Sequence, residues 1–212
     1  MVMRKYKIDL HVHSSNSGDN DADLEEMIER AVRLGLDGIA ITEHYTYAAS
    51  EPVERLREKY RDAIMLLRGV EFSAAEGHCL VFGADTDRLG IANAPVRDVV
   101  RAVNEAGGIV IPSHPFRSMN SLGDVVLDLA GIGGLEGYNG ANMHAMNSRA
   151  VETAAKLRLP FTGGSDAHAP SEVGSCYTEF DDPVVPATFL SLLKAGRYRG
   201  IDTRKISRHS FF

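Results

Sequence analysis

Residues 6–36 read YKIDLHVH (Tyr6–His13), SSNSGDNDA, DLEEMIERAVRLGL (Asp23–Leu36). The first run is short and rich in β-branched and aromatic residues, which predicts a strand. In the third run Leu24, Met27, Ile28, Ala31, Val32 and Leu34 fall mostly at spacings of three and four, the period of an amphipathic helix. Asp23 stands where a helix cap belongs and Gly35 near the end. The stretch is therefore one β/α unit.

The same unit recurs along the chain. DGIAITEH (37–44) predicts a strand, PVERLREKYRD (52–62) a helix, and AIMLLRGVEFS (63–73) a strand. HCLVFGA (78–84) is a short strand, VRDVVRAVNEAGG (96–108) a helix, GIVIPSHPF (108–116) a strand, SLGDVVLDLA (121–130) a helix and IGGLEGYN (132–139) a strand. NSRAVETAAKLRL (147–159) is a helix, PFTGGSDAH (160–168) and CYTEF (176–180) are strands, and PATFLSLLKAGRY (186–198) is a helix. Mostly uncharged apolar strands alternating with helices predict a parallel sheet covered by helices. No linker or low-complexity block marks a boundary, so residues 1–212 are read as a single domain.

The bulk properties exclude several classes. A formal charge of -6 argues against wrapping duplex nucleic acid, which needs many phosphate-neutralising Lys and Arg side chains. Three bound divalent ions would cancel that charge. Only Cys79 and Cys176 are present, so no disulfide framework is expected. MVMRKYKIDL lacks the apolar core of a signal peptide, and no run approaches the roughly 18 apolar residues of a membrane span. A cytoplasmic protein with no membrane partner is the expectation; the oligomeric state is not legible.

What separates an open sheet from a closed barrel is where the polar residues sit. His11 and His13 follow KIDL, His44 follows IAIT, Glu71 follows LLRGV, His114 follows IVIPS, and Asp166 and His168 follow FTGGS. In a β/α barrel all these C-terminal strand ends open onto one mouth. An open sheet would spread them in a line, so convergence favours the barrel.

Imidazoles and carboxylates together are ligands of first-row metals, and a carboxylate can bridge two ions. Residues two apart on a strand share a face, so His11 and His13 can grip one ion, and Asp166 and His168 two adjacent ones. A single histidine at a strand end is more often a hydrogen-bonded partner than a ligand. Here six of eight histidines fall at strand ends or in the following loops, which random scatter does not produce.

The runs DLHVHSSNSGD, AITEH, RGVEFSAAEGHCLVFG, PSHPFR and GGSDAH resemble, in order, the motifs of the PHP family, named for polymerase and histidinol phosphatase. The resemblance extends from Lys7 to about Arg199. It implies a distorted barrel of seven β/α units, a relative of the TIM barrel, with a three-metal site at the C-terminal mouth that hydrolyses phosphate esters. By the same resemblance His11, His13, Glu71 and Asp166 hold one ion, Glu71, His78 and His114 a second, and Asp19, His44 and His168 a third, with Glu71 as the bridge.

Two positions depart from the commonest family pattern. Asp19 stands where some relatives have His, which keeps a ligand but favours Mn or Fe over Zn. TEH replaces TDH; Glu43 lies beside His44, so its side chain is expected to point to the opposite face and serve as a supporting or salt-bridge residue. Asp21 and Asp23 are read as surface or cap residues. His78 begins a strand rather than ending one, which makes it an unusual ligand. His144 and His209 match no motif and are read as solvated.

The expected reaction is in-line attack of a metal-bridging hydroxide on phosphorus, with Glu71, Asp166 and His168 in the reacting centre and Arg117 orienting the phosphate oxygens. The expected cofactors are three divalent ions drawn from Zn, Mn or Fe. The expected substrate is a nucleotide, an oligonucleotide end or a small phosphomonoester. Asn139 and Asn142, in GYNGAN, are read as turn residues. A competing reading, the amidohydrolase type that cleaves C–N or lactone bonds, also starts with HxH but often carries a bridging lysine, and no Lys follows a central strand here.

Overall fold

A computed structural model of the chain describes residues 4–204. The strands are β1 (Tyr6–Val12), β2 (Gly38–Ile41), β3 (Met65–Arg68), β4 (Val70–Ser73), β5 (His78–Phe82), β6 (Ile109–Pro112), β7 (Leu135–Asn139), β8 (Phe161–Gly164), β9 (Cys176–Phe180) and β10 (Tyr198–Asp202). The α-helices are α1 (Leu24–Arg33), α2 (Pro52–Tyr60), α3 (Val96–Glu105), α4 (His144–Leu157) and α5 (Pro186–Ala195). The first β/α unit forms as its pattern dictates. Asp23 caps α1 by accepting from the backbone N–H of Glu25 and Glu26, and Leu24, Met27, Ile28 and Ala31 are buried beneath it. Val12, Ile39 and Ile41 complete that layer.

The fold is mixed α/β, but the sheet is not the uniformly parallel one that the pattern predicts. Three ladders form, in the orders β10-β9-β1-β2-β3, β4-β5-β6 and β7-β8. β5 runs antiparallel to both β4 and β6, and β9 antiparallel to β1. The reason is local: only residues 74–77 connect β4 to β5, too few for a crossover helix, so the chain must return as a hairpin. No ladder closes into a continuous ring among the described residues. Isolated links cross the seams instead: Glu71 N to Thr42 O at 3.2 Å, Gly133 N to Val110 O at 2.9 Å, and His13 N to Ala167 O at 2.9 Å.

The run 63–73, expected as one strand, breaks at Gly69 and leaves one sheet for another. A Cβ at that position would stand 2.6 Å from the Phe82 ring, so only glycine lets the chain change sheets there. Residues 121–130 form a 3-10 helix at Gly123–Asp128 rather than an α-helix. α4 starts at His144, three residues before the predicted start, and α5 ends at Ala195, after which Tyr198–Asp202 forms β10, a strand that the sequence pattern did not reveal. Among the described residues no helix is long and apolar enough to cross a membrane.

Candidate metal centre

Every one of the nine expected ligands lies in one cluster, and its hub is Glu71. This carboxylate is 1% exposed. Its Oε2 lies 3.4 Å from His11 Nε2, 3.5 Å from His13 Nε2 and 3.1 Å from His44 Nδ1; its Oε1 lies 3.4 Å from His78 Nδ1 and 2.7 Å from His114 Nε2. The hairpin explains the presence of His78. Because β5 is antiparallel to both β4 and β6, its first residue sits at the same end as their last residues, paired with Ser73.

Three groups of donors fall within 4.8 Å of one another: His11, His13, Glu71 and Asp166; His44, Glu71 and His78; and His13, His44 and His168. The partition differs in detail from the one implied by resemblance. His44 stands between the second and third groups, with Nδ1 toward Glu71 and Nε2 3.0 Å from Asp19 Oδ2, while His168 Nε2 is 3.1 Å from the same Asp19 oxygen. His114 joins through Glu71. The Asp166–His168 pair does not share a strand face: Asp166 takes a positive φ of 54°, and the chain turns before His168.

The strand bearing the HxH pair is bulged. The β1–β2 register shifts between Asp9 and Val12, a device that re-aims side chains beside a site. Both rings are then fixed from behind. His11 Nδ1 lies 2.9 Å from Glu136 Oε1, and His13 Nδ1 lies 3.1 Å from Ser17 Oγ, which itself donates to Glu43 at 2.5 Å. Glu43 also accepts from the Ser14 backbone N–H, so its side chain faces away from the cluster and supports it, as expected from strand alternation.

The electrostatics follow from this crowding. Burial opposes ionisation of Glu71, yet His11 and His114 hold it well below the usual carboxylate range. Asp166 is likewise opposed by burial and held well below by His11 and His13. His11 is pulled down by burial but held well above its ordinary value by Asp166, Glu136 and Glu71. Burial pushes His13 down to about 4, reinforced by His11.

Four supporting residues carried no sequence signal, or the wrong one. Glu136, in β7, accepts from His11 Nδ1–H and, through Oε2, from His114 N at 2.7 Å and Asn139 Nδ2 at 2.9 Å. Asp9, which burial raises to about 6, accepts from Ser165 N and Gly174 N. The turn reading of Asn139 and Asn142 is incomplete: both side-chain oxygens accept from Arg117 at 2.9 Å, and Arg117 Nη2 reaches Asp166 Oδ2 at 2.5 Å. An apolar strand followed by a turn hides such residues, because nothing local distinguishes a buried carboxylate that orients histidines from a surface one. Asp23 is a cap and Asp21 is exposed, as read. His144 is half exposed with Nδ1 3.5 Å from Asp202, and His209 lies outside the described residues.

The donor set fits divalent metal. With both Nδ1 atoms engaged by oxygens, His11 Nε2 and His13 Nε2 face each other at 3.0 Å beside Asp166 Oδ1 and Glu71 Oε2. His44 Nδ1 is buried without a hydrogen bond although it lies close to Glu71. Such a set of inward lone pairs and carboxylates is stabilised by a cation.

The sequence profile of the PHP domain matches residues 9–115, about half the chain. The chain belongs to the PHP family. A PHP-associated profile matches residues 144–198. A phosphoribosyl 1,2-cyclic phosphate 1,2-diphosphodiesterase of Eggerthella lenta is 32% identical over 152 residues, 70% of this PHP chain and 52% of that protein, so the match spans about half the relative's length. Among solved structures, a two-domain Bacteroides vulgatus protein containing a PHP-like metal-dependent phosphoesterase superposes with a TM-score of 0.73 at 21% identity, over 94% of this chain and 65% of that one. A lesion-specific endonuclease of Pyrococcus furiosus gives 0.72 at 18% identity, over 93% and 58%. At these identities the two structures show a shared fold.

Proposed function

We propose that this PHP chain is a metal-dependent hydrolase of phosphate esters. The observation that carries the reading is Glu71, one buried carboxylate within 3.5 Å of five imidazoles. His11, His13, Glu71 and Asp166 would hold one divalent ion, His78, His114 and Glu71 with His44 a second, and Asp19, His44 and His168 a third, the ions being Zn, Mn or Fe. Bound there, such ions lower the pKa of water and neutralise charge on a phosphoryl group.

The chain's own groups do the rest. Glu71 and Asp166, ionised at neutral pH, accept the hydrogens of the attacking water and fix its approach to phosphorus. Arg117, anchored by Asn139, Asn142 and Asp166, presents a guanidinium to the phosphate oxygens. His168, 34% exposed at the rim and 3.1 Å from Asp19, is the group assigned to the leaving oxygen in this reading. Water adds to phosphorus, the ester P–O bond breaks, and the proton that water loses ends on the leaving alcohol.

The finer architecture, a distorted seven-unit barrel over a single domain, is supported by the hydrogen bonds across the seams between ladders. For substrate, a nucleotide-type or small sugar phosphoester suits the rim, and the name of the Eggerthella relative adds a cyclic phosphodiester. No described contact of the cluster involves lysine, which disfavours the amidohydrolase reading. The test is an activity screen of protein reconstituted with Mn, Fe or Zn over mononucleotides, bisphosphates, cyclic and acyclic sugar phosphates and short oligonucleotides, alongside lactones and amides. Turnover of a phosphate ester that vanishes in Glu71→Ala supports the reading; hydrolysis of lactones or amides alone refutes it.

A further inference from the structure

The last described residue of the chain grips the loop that holds Arg117. Arg204 Nε and Nη2 donate to the two carboxylate oxygens of Asp202, at 2.9 and 2.5 Å. Its Nη1 donates to two backbone carbonyls, Gly140 O at 2.7 Å and Asn142 O at 2.6 Å. One planar fork is thereby fixed on both sides, a task that an ammonium cannot perform. Asp202 neutralises the charge, so Arg204 is poorly suited to attract a phosphate itself.

The gripped loop follows β7 and has no regular structure of its own. It nevertheless carries Asn142, whose Oδ1 accepts from Arg117 Nε, and it follows Asn139, whose Oδ1 accepts from Arg117 Nη2. A continuous chain of polar contacts runs from Asp202 through Arg204, the Gly140–Asn142 carbonyls, Asn142 and Arg117 to Asp166 at the metal cluster. We infer that Arg204 is a positioning residue for anion binding: it pins the 140–142 loop so that Asn142 holds the Arg117 guanidinium at the mouth. The inference rests on the reading of Arg117 as the phosphate-binding arm.

The test is a double-mutant cycle on metal-loaded protein, reading the Kd of inorganic phosphate by calorimetry and metal content by elemental analysis. Arg204→Met, which keeps the stem and removes the donors, is expected to weaken phosphate binding about fivefold with metal content unchanged. Arg204→Lys keeps charge and most of the packing and should weaken it similarly, which covers the case in which the Met variant folds poorly. With Arg117→Ala in the background, neither change should weaken binding further. Wild-type affinity in both Arg204 variants, rescue by lysine, or losses that multiply with Arg117→Ala would overturn the inference. An Arg117→Ala variant with wild-type phosphate affinity would remove the anion-arm reading itself, and this inference with it.

Discussion

His11 Nε2 and His13 Nε2 face each other at 3.0 Å inside the protein, while the opposite nitrogen of each ring is already engaged by Glu136 or Ser17. Two lone pairs cannot share that space without a cation between or beside them. In the metal-free protein the cation is a proton, since the surrounding carboxylates hold His11 well above its ordinary pKa despite its burial. His13, pushed down to about 4, is neutral at neutral pH.

Metal binding should therefore displace one proton from His11. The sign follows directly: as pH rises, the proton competes less and metal affinity increases, by about tenfold per pH unit while His11 stays protonated in the free protein. Calorimetric titrations with Mn between pH 6 and 8, in buffers of different ionisation enthalpy, measure both the slope and the released proton. A flat profile with no proton released would show that His11 carries no proton in the metal-free protein.

Glu136→Gln should lower affinity for the ion held by His11 about 10- to 100-fold while leaving the fold intact. The amide places a nitrogen where Glu136 accepts from His11, or from His114 N and Asn139 Nδ2, so at least one bond is lost. Competition against a fluorescent chelator reads the affinity, and thermal melting of the metal-free variant separates orientation from collapse. Unchanged affinity would reduce Glu136 to packing.

Gly164→Ala should be strongly destabilising, by about 1–3 kcal/mol or more, and should also disturb the site. The added Cβ would stand 2.4 Å from His11 Cβ and 2.9 Å from Glu136 Oε1, both in the buried interior. A denaturant midpoint indistinguishable from wild type would mean that β1 and β8 are not so closely apposed.

Tyr45 holds a left-handed φ of 68° with 63% of its surface exposed, directly after His44. That conformation disfavours an aromatic residue and suits asparagine. Tyr45→Asn is expected to stabilise the protein by about 0.5–1 kcal/mol while raising KM for esters with a flat organic group, through loss of the rim aromatic. Equilibrium unfolding and steady-state kinetics check the two halves independently.

Much of the cluster was legible because metal-ligand side chains are conspicuous where strands end. HVH, TEH, SHP and SDAH stand out against apolar runs such as IAI and IVI, whatever the tertiary structure. Glu71 could be singled out only because LLRGV precedes it. His78 was harder, since its place at the mouth depends on β5 being antiparallel, and that depends on a connection of four residues. Glu136 and the Asn139–Asn142–Arg117 contacts were hidden, because a carboxylate in LEGYN and asparagines in GYNGAN read locally as strand and turn.

The sequence by itself determined the alternation of strands and helices, the capped first helix and the set of side chains able to bind metal. These depend on residue type and on periods of two and 3.6, which are local. Only the tertiary structure decided that the run through Gly69 changes sheets, that the ladders fall into three, that Glu71 is the hub of five histidines, and that Arg204 reaches back to residues 140–142. Each of these is a meeting of segments far apart in the chain, set by close packing and by the need to pair buried polar groups, and no local pattern records which partner a buried carboxylate or guanidinium will find.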